Sequence, residues 1–413
     1  MKQIFIGVFG KKTGLIKFVL VLLASIPTVQ ASQNVLLTEV PDYSWYAGCF
    51  CTAGGNLMAY WDRHGFSNFY SGPTANGVAP LNNDGPNVGI RSMMASKAGL
   101  DGRSSDQPGH LDDYWIRYDE QGYSYESTAP DPYVTAGRPE HSPDCIGDFI
   151  GASQNKWTNL NGECDGNIDA FAVIFWDLSG AKRTNYIPPT LSGPLIRDVP
   201  SGFRAWTQYR GYDCEVVSQL ADFNPHASAG TGFTFEDLKS EIDAGYPVII
   251  AMQNPDQFSR NLQGMSRANP EIHGMLAFGY YIDDDGNKFV RYKTSWGGSG
   301  DNTLNSWDGS LWVPVYIAVR GFITYHPFPK VSSLSLGDQN TLKIEWDGPA
   351  SQLLDISSGE ATRVHWYVVE RSDSLSDPKF VAVSDPSTDH EITLTGYPGD
   401  AGFFRIRLVK PPM

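Results

Sequence analysis

The sequence predicts an α+β protein, with a large mixed domain followed by a small antiparallel β-sandwich. Three patterns point there. Apolar residues at helical spacing (Leu57, Met58, Tyr60, Trp61) follow a loop that ends at Gly48. Short apolar runs bounded by turn residues, such as Pro247 to Met252 and Met275 to Ile282, read as buried strands. Past Pro327-Phe328-Pro329 the chain alternates apolar and polar residues with a period of two, as in Leu342-Lys343-Ile344-Glu345-Trp346.

Taken in order, the chain opens with Lys2, Lys11, Lys12 and Lys17, then an apolar run from Phe18 to Ile26 that ends near Val29-Gln30-Ala31. This is the layout of a secretory signal peptide over residues 1–31. The run is about half the ~20 residues a membrane span needs, and no later stretch is long enough. A protein secreted or otherwise extracytoplasmic is expected, with no integral membrane segment after cleavage.

The helix is expected from about Cys49 to Arg63, and a Gly-, Pro- and Asn-rich irregular stretch from Ser67 to Gln208. Thr234-Phe235-Glu236-Asp237 is an acidic capping box opening a second helix, with Phe235, Leu238 and Ile242 on one face and Gly245 as its stop. A strand follows, then a run opened by His273, then a hairpin turn at Asp284-Asp285-Gly286-Asn287 into Phe289 to Tyr292. The carboxylates of that turn are consecutive rather than alternate and no Glu closes them, so it is a turn and not a calcium loop. The domains are therefore expected at 32–328 and 330–413. The second resembles a fibronectin type III module and is expected to be dispensable for chemistry.

Composition narrows the function. Hydrophobic content of 41% with 13% aromatics is globular, and a formal charge of −15 without clustered Lys and Arg argues against nucleic acid as a partner. There is no CxxC pair or HExxH stretch, so neither a metal nor another cofactor is expected. Five cysteines (Cys49, Cys51, Cys145, Cys164, Cys214) leave an odd thiol in an exported chain, either reactive or a spectator.

Cys49 stands where the first helix begins, and unpaired N–H groups at a helix start favour a thiolate. His273 opens a strand of the later half and is the expected base. On these residues the chain resembles the peptidase C39-like family. Val40-Pro41, Trp45, Gly48-Cys49-x-x-Thr52-Ala53 and Tyr60-Trp61-Asp62 look like its nucleophile segment. Thr234 to Ala244, Gly245-Tyr246-Pro247, His273-Gly274, Gly279-Tyr280 and Ser295-Trp296-Gly297 look like its later segment. The resemblance spans roughly Val40 to Tyr325. It implies a papain-like, two-lobed cysteine peptidase acting on a peptide or protein substrate, with Cys49, His273 and Thr294 as site residues.

Two positions depart from the papain-like pattern: Tyr43 stands where a Gln is usual, and Thr294 where an Asn or Asp is usual. A missing oxyanion donor costs on the order of 100-fold to 1,000-fold in rate. Asp301 is a candidate replacement carboxylate, Cys51 the rival nucleophile or a disulfide partner for Cys214, and His110 a lesser candidate base. Two other functions stay open. One is a catalytically weakened domain acting as an extracellular binding or adhesion protein; the other is a cysteine-dependent amidase or acyltransferase.

Overall fold

The apolar run opened by His273 lies in an eleven-residue strand, and the larger sheet is organised on it. The computed structural model describes residues 32–46, 48–72, 77–95, 143–152, 172–184, 197–253, 272–301, 303–307, 318–338, 340–396 and 402–411. The expected signal peptide, Cys164 and His110 lie outside the described residues. Within them the fold is mixed α+β, with mostly antiparallel sheets and few helices. No helix among the described residues is long and apolar enough to cross a membrane.

The helices are α1 (Cys49–Arg63), α2 (Arg91–Met94), α3 (Ile146–Ile150), α4 (Val199–Tyr209) and α5 (Phe235–Asp243). The larger sheet has nine strands: β1 (Gln33–Leu37), β2 (Cys214–Leu220), β3 (Val248–Gln253), β4 (Ile272–Ile282), β5 (Lys288–Lys293), β6 (Leu304–Ser306), β7 (Ala318–Pro327), β10 (Gln352–Asp355) and β11 (Glu360–Arg363). The hub is β4, which pairs with β3 over Ile272–Ala277, with β1 over Gly279–Ile282 and with β5 over Leu276–Ile282. Its side chains Met275, Leu276, Ala277 and Phe278 are fully buried, which is why the run reads as continuous rather than alternating. Helix α1 is buried on nearly every side, so its sequence is apolar or small almost throughout.

Local rules account for most of these boundaries. Thr234 Oγ1 accepts the Asp237 N–H at 3.1 Å while Asp237 Oδ2 accepts the Thr234 N–H at 2.8 Å, so the capping box that opens α5 is reciprocal. Between β4 and β5, Asp283 Oδ1 accepts the main-chain N–H of Asp285 and Asn287 at 3.0 and 2.7 Å. Those bonds close the turn internally.

Six further strands form two three-stranded sheets, β14-β9-β8 and β13-β12-β15, built from β8 (Lys330–Gly337), β9 (Thr341–Asp347), β12 (Trp366–Ser372), β13 (Val381–Ala382), β14 (Glu391–Leu394) and β15 (Phe403–Val409). Leu342, Ile344, Trp346, Tyr367 and Val369 pack between them, while Lys343 and Glu345 face outward as an ion pair. Period-two alternation thus yields a sandwich with its own small core.

One hairpin of the C-terminal stretch departs from the expected division at residue 330. Strand β10 pairs with β1 through Val35↔Asp355 to Leu37↔Leu353, and β11 follows it, so residues 352–363 extend the larger sheet. The flanking linkers are equally embedded. Gly348 N–H donates to Gly65 O and Ala350 N–H to His64 O, both at 3.0 Å, and Ser351 Oγ donates to Gly245 O at 2.7 Å. His365 lies buried against Trp61 and Tyr246. The hairpin and linkers cover the C-terminal end of α1, so residues past Lys330 take part in the packing of the larger sheet. A chain ending at Lys330 is expected to lose cooperative thermal unfolding; a sharp transition near that of the full chain would show that this cover contributes little.

His365 also makes the junction acid-sensitive. Burial holds its imidazole neutral, down to about 3, helped by the nearby His64, His390 and His326. Its Nδ1 accepts the Ser351 N–H at 3.1 Å, a bond a proton would destroy. Because the folded pKa lies below the unfolded ~6.5, the unfolded chain binds the extra proton, and stability falls as pH drops from about 6.5 towards 3, at about 1.4 kcal/mol per pKa unit. Denaturant titrations across that window should give a shallower pH dependence for His365→Gln than for wild type.

Candidate active site

The segment before α1 is held by side chains that the helix and a neighbouring loop supply. Asn56 Oδ1 accepts the Tyr43 N–H at 2.9 Å. Asn83 clasps Ser44 by both its N–H and its C=O, each at 2.8 Å. Thr52 Oγ1 accepts the Tyr46 N–H and donates back to Gly48 O, both at 2.9 Å, which explains the Thr of Gly48-Cys49-x-x-Thr52. Gly48 caps the helix at φ 108°, a conformation that strains any residue with a Cβ.

Helix α1 therefore begins at Cys49 with no side chain capping it and no acidic residue in its first turn. Its start lies on β4: a Cβ at Gly274 would sit 2.8 Å from the Phe50 ring, so only glycine lets the helix approach this closely. The main-chain N–H groups of Gly274, Phe50 and Cys49 each favour the Cys49 thiolate. Cys49 is thereby set beside the residue that follows His273.

His273 is 7% exposed. Its Nε2 lies 2.7 Å from the main-chain oxygen of Thr294. A carbonyl only accepts, so Nε2 carries the proton and Nδ1 keeps a lone pair. Trp296 lies flat on the imidazole, with ring centroids 5.1 Å apart at 11°, and Trp45 stacks on Trp296 at 6.5 Å and 16°. The structure thus brings His273 and Thr294 into contact, and sets Cys49 next to Phe50, which packs on Gly274, the neighbour of His273. The Thr294 contact is made by the main chain, while its Oγ1 accepts the Trp296 N–H at 3.2 Å.

Burial governs the electrostatics. Desolvation pushes the Cys49 thiol up to about 11, outweighing the three N–H groups that favour the thiolate. Desolvation also pulls His273 down to about 4 against the opposing pull of the Thr294 carbonyl. The resting pair is a neutral thiol and a neutral imidazole with its lone pair on Nδ1, in place of the thiolate expected from the helix start alone.

The other candidates are placed elsewhere. Tyr43 is buried with its hydroxyl donating to Pro80 O at 2.7 Å, so it offers the site no donor. Asp301 pairs with Lys293 at 2.9 Å. Cys51 is buried in the same helical turn as Cys49, about 200° around the axis. The suggested Cys51–Cys214 bridge is absent: both are thiols, and Cys214, at the start of β2, hydrogen-bonds Thr207 and Tyr325, its thiol pushed up to about 12 by burial. Asn56, Asn83, Asp42 and Ser299 give no signal in the sequence, because they are polar residues whose partners are remote in the chain.

Gly274→Ala is expected to push Phe50 and the start of α1 off β4, costing about 1–3 kcal/mol by overpacking. Thermal unfolding with iodoacetamide labelling of Cys49 should show both lower stability and slower labelling. An unchanged labelling rate would mean that the thiol's position does not depend on this contact. No protein family, curated protein or solved structure matches the chain, so its chemistry rests on the geometry of Cys49, His273 and the loops around them.

Proposed function

We propose that the chain is a secreted cysteine peptidase of papain-like type that cleaves peptide bonds by attack of Cys49 with His273 as general base and acid. The observation that carries this is the neutral imidazole of His273, fixed by the Thr294 carbonyl and by Trp296, on the residue next to Gly274, whose bare backbone packs against Phe50 beside Cys49. It supports a general-base step rather than a preformed ion pair.

In this mechanism the Cys49 Sγ attacks the peptide carbonyl as its proton passes to His273 Nδ1. The oxyanion forms near the N–H groups at the start of α1, whose dipole favours negative charge. Imidazolium then gives the proton to the leaving amine, the C–N bond breaks, and a thioester remains. Water, deprotonated by His273, attacks that thioester; the carboxylic acid leaves and the thiol is restored. No cofactor enters any of these steps.

A second function is favoured by Tyr43, whose hydroxyl is committed to Pro80. Lacking a side-chain oxyanion donor, the domain would be catalytically weak and serve as an extracellular binding or adhesion protein. Amide hydrolysis or acyl transfer uses the same thioester, and trapping it with peptide, non-peptide amide and amine acceptors separates these from peptidase action.

The pH dependence of Cys49 alkylation tests the pair. Wild type is expected to label in two limbs: a first rise near pH 4 as His273 loses its proton and can assist, then a second towards pH 11 as the thiolate forms. His273→Ala should keep only the second. A single limb in both proteins favours the binding function. Because His273 uses the main chain of Thr294, Thr294→Ala should change peptide turnover by less than about threefold, well below the order of 100-fold seen when a group acting in the transition state is lost. A loss on that larger scale would restore the role expected for its side chain.

A further inference from the structure

We infer that Asp42 is a positioning residue that fastens the loop holding His273 to the segment leading into Cys49. This rests on Cys49 and His273 acting as a catalytic pair. The loop in question, 294–300, supplies both contacts that orient the imidazole, the Thr294 carbonyl and the Trp296 ring. Little else in its own backbone holds it: Ser295, Gly297, Gly298 and Gly300 all have positive φ, and for Ser295 that is an uncommon conformation. Such a loop persists only where its surroundings over-determine it.

Asp42 supplies that constraint. Its Oδ1 accepts the Ser299 hydroxyl at 2.7 Å and its Oδ2 accepts the Gly300 N–H at 3.0 Å, so both oxygens bind the far end of the loop. Lys293, 3% exposed, reaches the loop from the other side: Nζ donates to Gly300 O at 2.8 Å and lies 4.0 Å from Asp42 Oδ2. Ser299 Oγ in turn faces the Thr294 N–H at 3.4 Å. The contacts run from Asp42 through Ser299 to Thr294, whose carbonyl accepts the hydrogen bond of His273 Nε2–H.

The same carboxylate sits on the cysteine side. Asp42 precedes Tyr43 and Ser44, which Asn56 and Asn83 hold against the helix and its neighbouring loop. The two segments are pressed together, for a Cβ at Gly297 would lie 2.5 Å from Ser44 Oγ. Charge-assisted hydrogen bonds to an ionised carboxylate are about twice as strong as neutral ones, which suits a residue that must hold a strained loop in register. The Asp usually sought beside the catalytic His is thus replaced by one that acts through the loop.

The test compares wild type with Asp42→Asn and Ser299→Ala, using two readouts. Long-range ¹⁵N–¹H spectra of the imidazoles report the His273 tautomer. A single Nε2–H form is expected in wild type and a mixture of tautomers in both variants. Cys49 alkylation between pH 4 and 11 should slow by on the order of 10-fold to 100-fold in both variants, the range a misplaced group costs, with no further slowing on the His273→Ala background. A wild-type tautomer in both variants overturns the positioning role, as does slowing that persists without His273. Should the tautomer shift while alkylation ignores His273, Asp42 still positions the imidazole and the catalytic pairing alone fails. Ser299→Ala keeps the carboxylate, so the result survives if Asp42→Asn folds poorly.

Discussion

The contact on which this structure depends is that of the Phe50 ring with the bare backbone of Gly274. A helix start and a strand normally keep the distance that side chains on both impose. Removing one Cβ lets α1 settle onto β4 at the residue after His273, with Cys49 one position before the contact and the imidazole one position before it on the other side. Most of the remaining architecture maintains this meeting point. Strands β3, β1 and β5 hold β4 rigid, and Thr52, Asn56 and Asn83 hold the approach to the helix. The β10–β11 hairpin with its linkers covers the other end of α1.

The same closeness sets the chemistry. A helix start favours an anion by roughly 0.3–1 kcal/mol at an exposed position. Raising the thiol from 9.0 to about 11 opposes that by about 3 kcal/mol net, at about 1.4 kcal/mol per pKa unit. Desolvation wins, and the resting site is neutral. In the proposed mechanism charge forms only as substrate arrives, where the N–H groups of the first helical turn and the lone pair on Nδ1 act together.

Legibility in the sequence followed the range of each interaction. The bounds of α1, the capping box of α5 and the turn between β4 and β5 are set by residues within a few positions of one another, and each could be read directly. Cys49 and His273 were singled out from the chemistry of their types and their local frames, and their role as a pair stays a proposal. What could not be read is carried by pairs far apart in the chain: Asp42 with Ser299, β1 with β10, Cys214 with Tyr325. Residues 352–355, Gln352-Leu353-Leu354-Asp355, carry no period-two alternation, so nothing local says which sheet they join.

The sequence by itself thus determined the element types and the small sandwich core, because these follow from side-chain size and periodicity. Only the tertiary structure decided which atom of Thr294 meets the imidazole, that burial leaves the thiol protonated, and that a carboxylate at position 42 reaches the loop across the site. Those outcomes depend on distance and desolvation, which exist only once remote segments have packed together.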